Sequence, residues 1–361
     1  MSTAAIRHAT GAAGAVSPVP VDAWNEVFAS APDALPSQAR PWLRCVCAVD
    51  GYEDASRLYH APDGRRLVLP LVRGRALGPV LSARAALPAG WGPGGLLGEG
   101  GLTRPDDIAM VVADLASLGA LTIRLRPDPS AVRVWEDGMP AGVVREPAMA
   151  QTLSLEGGFD TVWRRRFRRD TRNRVRRAER AEVTVECDDG DRLVPVFHRL
   201  YAMSVLRWAR RDGDPPALAR WRAARREPDR KLCTVASAGD TGCRVYAAFR
   251  HGRPLAAIVV LFAPGAAAYW RGAMDEDLAG PVHANYLLHR VAIEDAAAAG
   301  CGAYHMGDSA PGSSLALFKS RFGAVEQHYS VYRIERAPLS KLRGTARGTV
   351  RLLRTMSRSG R

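Results

Sequence analysis

Ten arginines crowd into residues 163–180, together with only two acids. Five of them recur at intervals of three or four residues, as Arg165, Arg169, Arg172, Arg176 and Arg180. On a continuous helix such residues share one face, where each like-charge pair costs about 0.2–0.5 kcal/mol. Because a solvated helix face usually alternates the sign of its charges, the pattern predicts a face that binds phosphate. The phosphate would belong either to a small ligand or to RNA.

Lys319 is one of three lysines in a chain that otherwise uses arginine as its basic residue. It lies early in a predicted helix, after the loop "GDSAPGSS" (307–314), where an ammonium can stabilise an oxyanion or hold a phosphate. Asp308, at the end of the preceding strand, can accept a proton or orient an amine, and capping of the loop is the alternative. An ammonium that stabilises an oxyanion and a carboxylate that accepts a proton could together serve a group-transfer reaction, so Lys319 and Asp308 are the candidate catalytic residues.

The sequence offers no covalent nucleophile for such a transfer. The six cysteines are scattered, none stands beside a histidine, and no GxSxG motif is present. Their spacing fits neither a zinc site nor a disulfide framework. For a transfer reaction we therefore expect direct attack by the acceptor, with no metal and no bound cofactor. Cys45 and Cys47 are expected to be buried thiols on one face of a strand.

Further substrate contacts are expected around the predicted central strand "AAAYWRGA" (266–273) and the helices that follow it. Alternate residues of a strand face the same side, so one side of this strand would reach a cleft. For the aromatic residues, packing in the core is the alternative. The expected contacts are Tyr269, Arg271, Asn285, Tyr286 and Phe318.

The turn after this strand bears on the acyl donor. A CoA pyrophosphate is usually bound by a glycine-rich turn whose N–H groups face the phosphates at a helix N-terminus. Here the turn "MDEDLAGPVHAN" (274–285) has one glycine and three acids, Asp275, Glu276 and Asp277, which argues against ordinary CoA binding. The loop 87–101 holds seven glycines but neither GxGxxG nor a P-loop pattern. We expect an irregular crossing there, with direct ligand binding as the alternative.

Length and composition indicate a packed protein of two domains, with 361 residues of which 47% are apolar. The net charge of +14 is local, since residues 163–180 contribute +8 and residues 338–361 hold seven basic residues and no acid. The tail also aligns apolar residues on one helical stripe. It predicts contact with anionic lipid or RNA, or else a solvated tail.

No apolar run approaches the roughly 20 residues that span a bilayer. Residues 1–19 lack the apolar region of a signal peptide, so we expect a disordered leader. These features predict a cytoplasmic protein, and the basic tail would allow contact with the inner face of the membrane.

Two halves of the chain repeat the same order of predicted elements. In the first, a hairpin with its turn at Asp63-Gly64 is followed by a helix that ends at Gly119 and by a strand. In the second, the hairpin turn is at His251-Gly252 and the helix ends at Gly300. The repeat predicts a duplicated α/β unit.

Several stretches resemble FemAB-like acyltransferases of the GNAT superfamily. "RRDTRNRVRRAERAEVTVE" is similar to their "R-x-x-R-K-A-E-R-x-G-V" signature, and "GPVHANYLLHRVAIEDAAAAG" to their "pNYLLhwxAIxxAxxxG" helix. "YHMGDSAPGSSLALFKSRFGA" resembles their closing "fDlGgS…GL..FKxxFG", and "LPSQARPWL" their N-terminal "fqSpaWL". Order and spacing hold over residues 20–335. The chain departs from the pattern at Ala181-Glu182, where the family has a glycine, and at His305-Met306, which replaces the usual "fD".

The resemblance implies an α/β (α+β) fold with two tandem GNAT-like domains, each a mixed, mostly antiparallel sheet flanked by helices. The expected parts are a disordered leader (1–19), an N-terminal GNAT-like domain (20–150), a C-terminal FemAB-type catalytic domain (151–337) and a basic amphipathic tail (338–361). It also implies that Lys319 lies at the substrate and stabilises developing charge. Arg172 and Arg176, with Arg169 beside them, would bind a diphosphate of the acceptor.

The resemblance further implies transfer of an aminoacyl group from aminoacyl-tRNA to an amine of a cell-wall (peptidoglycan) precursor or a specialised metabolite. The expected partners are aminoacyl-tRNA and a phosphorylated or peptide-like acceptor. Two alternatives stay open. One is an acyl-CoA-dependent N-acetyltransferase of a small amine, and the other is a non-catalytic RNA-binding protein built on two GNAT-like folds.

Overall fold

The computed structural model describes residues 15–74 and 83–336. The α-helices in these ranges are α1 (Val21–Ser30), α2 (Arg40–Asp50), α3 (Pro105–Ser117), α4 (Val132–Gly138), α5 (Gly158–Thr161), α6 (Arg169–Arg180), α7 (Val194–Asp212), α8 (Pro216–Arg226), α9 (Asp229–Ser237), α10 (Glu276–Ala279), α11 (Ala284–Ala298) and α12 (Ser314–Ser320). The strands are β1 (Glu53–Asp54), β2 (Arg57–His60), β3 (Arg66–Leu69), β4 (Val72–Arg73), β5 (Ala83–Ala86), β6 (Leu97–Gly98), β7 (Thr122–Leu125), β8 (Val144–Ser154), β9 (Thr184–Asp188), β10 (Cys243–Arg250), β11 (Arg253–Phe262), β12 (Ala266–Met274), β13 (Ala303–Asp308) and β14 (Val325–Glu335). The predicted basic tail and most of the predicted leader lie outside the described residues. No helix in the described part of the chain is long and apolar enough to cross a membrane.

Eleven strands form one sheet in the order β1-β4-β5-β7-β14-β8-β13-β12-β11-β10-β9, and β2, β3 and β6 form a small separate sheet. Among the described strands only two pairs are parallel, β5–β7 and β12–β13. Each of these two crossovers carries one long helix, α3 in the first and α11 in the second. The same parallel unit therefore occurs in each half among antiparallel strands, which confirms the predicted mixed α/β fold and the predicted repeat of one unit.

The two halves share their sheet. The last strand, β14, pairs with β7 on one side and with β8 on the other, and β8 also pairs with β13. The predicted domain boundary, between residues 150 and 151, falls inside β8, so a division there would cut a continuous strand.

The first described residues are packed, although the predicted leader extended to residue 19. Val16 exchanges two backbone hydrogen bonds with Leu58. Val19 is buried, and its amide donates to the hydroxyl of Ser56 at 3.1 Å. Residues 15–19 therefore belong to the folded body, because the backbone of Val16 is paired with Leu58 and the side chain of Val19 is buried.

Both predicted hairpins and both predicted helix ends are present. The hairpins pair β2 with β3 and β10 with β11, and the second turn places His251 and Gly252 at φ 49° and 74°. Helices α3 and α11 are followed by Gly119 and Gly300 at φ 65° and 80°. A positive φ favours glycine, which explains why glycine marked these ends in the sequence.

The prediction of a strand at Cys45 and Cys47 is wrong, because both lie in helix α2. The buried residues of this helix recur at helical intervals, as Trp42, Leu43, Cys45, Val46 and Val49. Two alternating cysteines are too short a pattern to define a period. Cys45 is buried and Cys47 half-buried, and burial raises the pKa of each thiol to about 11.

The arginine-rich segment is not one continuous helix. A π-helical turn, Val162–Arg166, is followed by two extended residues before α6 begins. Arg172 of α6 stabilises this break, because its guanidinium donates within 3.2 Å to the carbonyl oxygens of Trp163 and Arg164 in the turn and of Phe167 just after it. Arg165 therefore lies outside the helix, and the five regularly spaced arginines do not share a face.

Candidate active site

The parallel strands β12 and β13 separate at the centre of the large sheet. They pair only over Ala266–Ala268 and Ala303–His305, and a cavity of about 1120 Å³ opens in the split. A bulge in β12 leaves Trp270 without a partner on β11, between Tyr269 and Arg271. All three side chains line the cavity, whereas strict alternation would place only Tyr269 and Arg271 there.

The cavity is enclosed by both halves of the chain, and its lining carries more basic than acidic side chains. The basic lining residues are Arg126, Arg207, Arg211, Arg271 and Lys319, the acidic ones Glu276 and Asp308, and the tryptophans Trp91, Trp208 and Trp270. Aromatic walls with a few charged groups are typical of small-molecule sites. The lining suits a ligand that combines an anionic part with an apolar part. Among the described residues, no three His, Cys, Asp or Glu side chains are grouped as metal ligands would be.

Lys319 lies at the cavity wall on helix α12, with 2% of its surface exposed. Its Nζ donates to the carbonyl oxygens of Gly307 at 2.9 Å and Asp308 at 2.8 Å. Burial lowers the pKa of the ammonium to about 8, and the negative charge of Asp308 opposes the shift. Because an ammonium has three N–H donors, one donor remains for a ligand in the cavity.

Asp308 also lines the cavity, but its carboxylate contacts one side chain just after β7 and another on β14. Arg126 forms an ion pair with it, and the hydroxyl of Tyr329 lies 3.1 and 3.2 Å from its two oxygens. Burial raises the pKa of Tyr329 to about 12. The contacts with Arg126 and Tyr329 fix the end of β13. The carboxylate is 41% exposed, so it also faces solvent.

His305 lines the cavity as a single tautomer. The hydroxyl of Thr152 donates to Gln327 Oε1 at 2.8 Å, and the same oxygen lies 3.0 Å from His305 Nδ1. Since a hydroxyl has one proton, this arrangement assigns the imidazole proton to Nδ1 and leaves a lone pair on Nε2. Burial lowers the pKa of His305, although Asp128 and Asp33 oppose the shift, so the ring is neutral at pH 7.

A second neutral histidine, His289 of α11, lies among aromatic rings beside Lys319. Burial, and then the charge of Lys319, lower its pKa to about 3. Its ring lies edge-on to Tyr269 at 4.8 Å and to Phe318 at 5.4 Å, and its Nδ1 is 3.4 Å from the hydroxyl of Tyr304. Tyr269 and Phe318, both expected contacts, thus form an apolar wall of the cavity next to the lysine.

The glycine-rich loop is fixed to the second half through one carbonyl group. The oxygen of Gly90 accepts hydrogen bonds from Trp270 Nε1 at 3.0 Å, from Lys231 Nζ at 3.3 Å and from the guanidinium of Arg271. The carboxylate of Glu227 pairs with both Arg271 and Lys231, at 2.8 and 3.3 Å. Burial lowers the pKa of Lys231, and Glu227 opposes the shift. Arg271 therefore holds the loop in place, in addition to lining the cavity.

The arginines predicted to bind a diphosphate are not brought to the cavity. Arg172 is engaged by the π-helical turn, Arg176 lies 5.9 Å from the ring centroid of Trp163, and Arg169 is exposed. Helix α6 packs against α11 through its apolar side. None of these three arginines lines the cavity, so a phosphate-binding role for them remains a prediction.

Of the two predicted contacts at the start of α11, one lines the cavity and the other does not. Asn285 lines the cavity, and its Nδ2 lies 2.7 Å from Met274 Sδ. Tyr286 is buried away from the cavity, and its hydroxyl accepts hydrogen bonds from Arg174 at 2.8 Å and Arg321 at 2.9 Å. Tyr286 therefore joins α11 to α6 and α12 rather than contacting the cavity.

In the segment between β12 and α11, several backbone amides donate hydrogen bonds to oxygens of the segment itself. Four amides of residues 275–283 donate to oxygens of the same segment, and the side chain of Asp275 caps α10. Glu276 pairs with Arg207 at 3.2 Å. The segment thus offers poor binding for a diphosphate, in agreement with its three acids.

Several cavity residues escaped the sequence-based predictions. Gln151 is fully buried at the cavity, where its Nε2 donates to the carbonyl of Ala316 at 2.9 Å and its Oε1 has no partner among the described residues. A glutamine between the apolar residues of β8 was the available signal. For His305 the signal was its place in a departure from the family pattern.

Comparisons with known proteins agree with this architecture. The family model described as "Acetyltransferase (GNAT) domain" matches residues 165–313. The chain is similar to the crystal structure of FemX, with 14% identity, a TM-score of 0.65 and coverage of 90% of this chain and 98% of that chain. It is also similar to a conserved protein of unknown function from Bacteroides thetaiotaomicron, with 8% identity, a TM-score of 0.56 and coverage of 87% and 97%.

A weaker similarity, with a TM-score of 0.48, is to the C-terminal domain of a putative lysylphosphatidylglycerol synthetase from Agrobacterium fabrum. That match has 14% identity and covers 87% of this chain and 91% of that chain. No curated protein sequence matches the chain significantly. The family-model match includes β12, α11 and β13, the elements that form the split in the sheet.

Proposed function

We propose that this chain, a FemAB-like acyltransferase of the GNAT superfamily, transfers an aminoacyl group from aminoacyl-tRNA to an amine bound in the cavity. The amine would attack the aminoacyl ester directly, forming the amide and releasing the 3′ hydroxyl of the RNA. The observation that carries this proposal is the position of Lys319. A buried ammonium at the wall of the cavity, with one donor left over, suits a carbonyl oxygen that gains negative charge.

The pKa of Lys319 supports this role. A value of about 8 keeps the group mostly charged at pH 7, so it can donate to the oxyanion of the tetrahedral intermediate. The preorganised carbonyls of Gly307 and Asp308 fix the nitrogen, so little reorganisation accompanies the reaction. We expect transfer to slow above about pH 8, as the ammonium loses its proton.

His305, rather than Asp308, would be the proton acceptor, because the carboxylate of Asp308 contacts Arg126 and Tyr329. Its Nε2 lone pair is left free by the hydrogen bonds that run from Nδ1 to Thr152 and Gln327. A neutral imidazole in the cavity can take the proton that the attacking amine must lose and return it to the departing oxygen. Gln151 Oε1, buried without a partner among the described residues, suits an N–H of the acceptor.

The choice of donor rests on two observations. The segment 275–283, where a CoA pyrophosphate would be expected, donates four of its backbone amides to its own oxygens and carries three acids. The fold resembles that of FemX over 90% of this chain. Both favour an RNA ester over acyl-CoA. For the acceptor, the basic side chains of the lining favour an amine on a phosphorylated or peptide-like molecule, such as a cell-wall precursor or a specialised metabolite.

The test is incubation of the protein with a complete set of charged tRNAs and a panel of amines that includes nucleotide-linked muropeptides and small diamines. Mass spectrometry should show a mass gain of one amino-acid residue on an acceptor, and RNase treatment beforehand should abolish it. Transfer from acyl-CoA, with thermal protection by acyl-CoA and no transfer from any charged tRNA, would overturn the proposed donor. RNA binding without transfer to any amine would favour a non-catalytic protein.

A further inference from the structure

Helices α7 and α8 form an arginine-rich surface beside the cavity. Arg207, Trp208 and Arg211 of α7 line the cavity, and α8 packs against α7. Helix α8 contains four arginines and no acid. The α7–α8 surface is defined by Arg210, Arg211, Arg220, Trp221, Arg225 and Arg226.

This surface is exposed. Ala223 is the one buried residue of α8, and Trp221 has 57% of its surface exposed. The guanidinium of Arg225 lies 5.1 Å from the centroid of the Trp221 ring. Large exposed aromatic side chains that adjoin cations commonly mark a binding surface.

The positive charge of the surface is only partly neutralised. Arg211 pairs with Asp212 at 3.0 Å, at a position where both side chains are exposed. Among the described residues, no acid lies within ion-pair distance of Arg210, Arg220 or Arg226. A cluster of like charges at the rim of a cavity attracts an anion.

We infer that the α7–α8 surface binds the RNA that carries the acyl group. This inference rests on the proposed RNA donor and assigns it a place on the molecule. The arginines would contact phosphates of the acceptor stem, and Trp221 would stack on an unpaired base. The 3′ end then passes Arg211 and Arg207 into the cavity, where the ester meets Lys319.

A lipid surface is the competing anionic partner, and it fits the residues less well. A helix that lies in a membrane interface needs a continuous apolar face. The outer side of α8 presents positions 218, 221, 222 and 225, which follow the spacing of one helix face. Two of the four are arginines, Arg222 and Arg225, so the apolar face is interrupted.

The arginine-rich segment 163–180, which contains the π-helical turn and α6, provides a matched control. Arg165, Arg169 and Arg180 are exposed, belong to the segment that looked most like an RNA-binding element in the sequence, and do not line the cavity. Replacing three of these arginines removes the same charge from the protein as replacing three on α8. The two variants therefore differ only in where the charge is lost.

The experiment measures binding of a fluorescent RNA hairpin with a single-stranded 3′ CCA end, at salt concentrations from 50 to 300 mM. The α8 variant carries Arg220→Gln, Arg225→Gln and Arg226→Gln, and the α6 variant carries Arg165→Gln, Arg169→Gln and Arg180→Gln. At about 100 mM salt we expect the α8 variant to bind at least tenfold more weakly. Its plot of log association constant against log salt concentration should have a slope that is shallower by about two. Each lost phosphate contact reduces the magnitude of that slope by roughly 0.7–0.9. The α6 variant should stay within about threefold of the wild type.

Trp221→Ala separates stacking from charge. It should weaken binding by about tenfold with an unchanged salt slope, since stacking releases no counterions. Circular dichroism on each variant checks that the fold is retained.

Three results would overturn the inference. The first is that the wild type does not bind RNA, and the second is that the α6 and α8 variants lose RNA affinity equally. The third is that the α8 variant binds RNA normally but no longer binds phosphatidylglycerol vesicles. Because the assay measures binding without transfer, failure of the proposed aminoacyl transfer leaves this readout intact. Normal RNA binding combined with no transfer would sink the proposed function alone.

Discussion

The ammonium nitrogen of Lys319 lies 2.8 Å from the backbone carbonyl oxygen of Asp308. The carboxylate of the same aspartate instead contacts Arg126 and Tyr329. The lysine is thus held by main-chain dipoles rather than by an ion pair. A buried ammonium without a direct counter-ion is costly to keep charged, which is the physical reason that its pKa falls.

The variant Lys319→Met tests how much the buried charge lowers the free energy of unfolding. The pKa of Lys319 is about 8 in the folded protein and 10.5 ordinarily, so between these values the unfolded chain binds more protons. The free energy of unfolding of the wild type, relative to the Met variant, should therefore rise by up to about 3 kcal/mol as the pH increases from 8 to 10.5. Urea unfolding of both proteins at pH 7.5 and pH 10 measures the difference. A difference that stays constant with pH would contradict the lowered pKa.

His305→Gln tests the proton acceptor. An amide cannot take a proton from the amine, so we expect kcat/KM to fall by about 10²-fold or more. In the wild type, kcat/KM should fall as the pH drops through the pKa of His305, which lies below 6.5. This acid limb should be absent from the variant. His328→Gln is the control, because that side chain is 68% exposed on β14, and a similar loss in the control would argue against a specific role.

Thr152→Val tests how the tautomer of His305 is fixed. The valine removes the hydroxyl that accepts the Nδ1 proton, while the imidazole itself stays in place. We expect kcat/KM to fall by roughly threefold to tenfold, a smaller loss than for His305→Gln, with the acid limb retained at a changed pH. A pH–rate profile identical to that of the wild type would show that the Thr152 contact does not matter.

Gly90→Ala tests the attachment of the glycine-rich loop, with Gly64→Ala as its control. Both glycines have nearly the same φ, 89° and 87°, but a Cβ at Gly90 would meet Arg271 Nη2 at 3.2 Å and Lys231 Nζ at 3.3 Å, whereas Gly64 has open space. The control should lose about 1–2 kcal/mol of unfolding free energy from backbone strain alone. Gly90→Ala should lose roughly 1 kcal/mol more and raise KM for the acceptor, as urea unfolding and initial rates would measure. Equal losses at the two positions would show that the loop tolerates the added methyl group.

Local patterns predicted the elements of this fold well. Glycines after α3 and α11, and the turns of two hairpins, require backbone conformations that few other residues adopt, so the sequence marks them directly. The order of the strands was not accessible in this way. The pairing of β14 with β7 and β8 joins residues about 200 positions apart, and no local pattern records it.

The candidate site was predicted in part, for a related reason. Lys319, Tyr269, Asn285 and Phe318 reach the cavity as expected, because each sits in a recognisable motif. The arginines of α6 do not reach it. A π-helical turn breaks the segment, and the guanidinium of Arg172 is hydrogen-bonded to backbone carbonyl oxygens at that break. Charge density alone could not reveal that break. His305 depends on Thr152 and Gln327, two residues from other strands, so its role emerges only from the three-dimensional arrangement.

The most direct test of the account is the single-turnover rate of aminoacyl transfer by Lys319→Met, beside Ser320→Ala as a control on the same helix. We predict that transfer by the Met variant is slower by about 10²- to 10³-fold, the usual cost of losing one oxyanion donor. RNA binding should be unchanged in both variants, and the control should react at nearly the wild-type rate. Transfer by Lys319→Met at the wild-type rate would contradict the assignment of Lys319 as the group that stabilises the oxyanion.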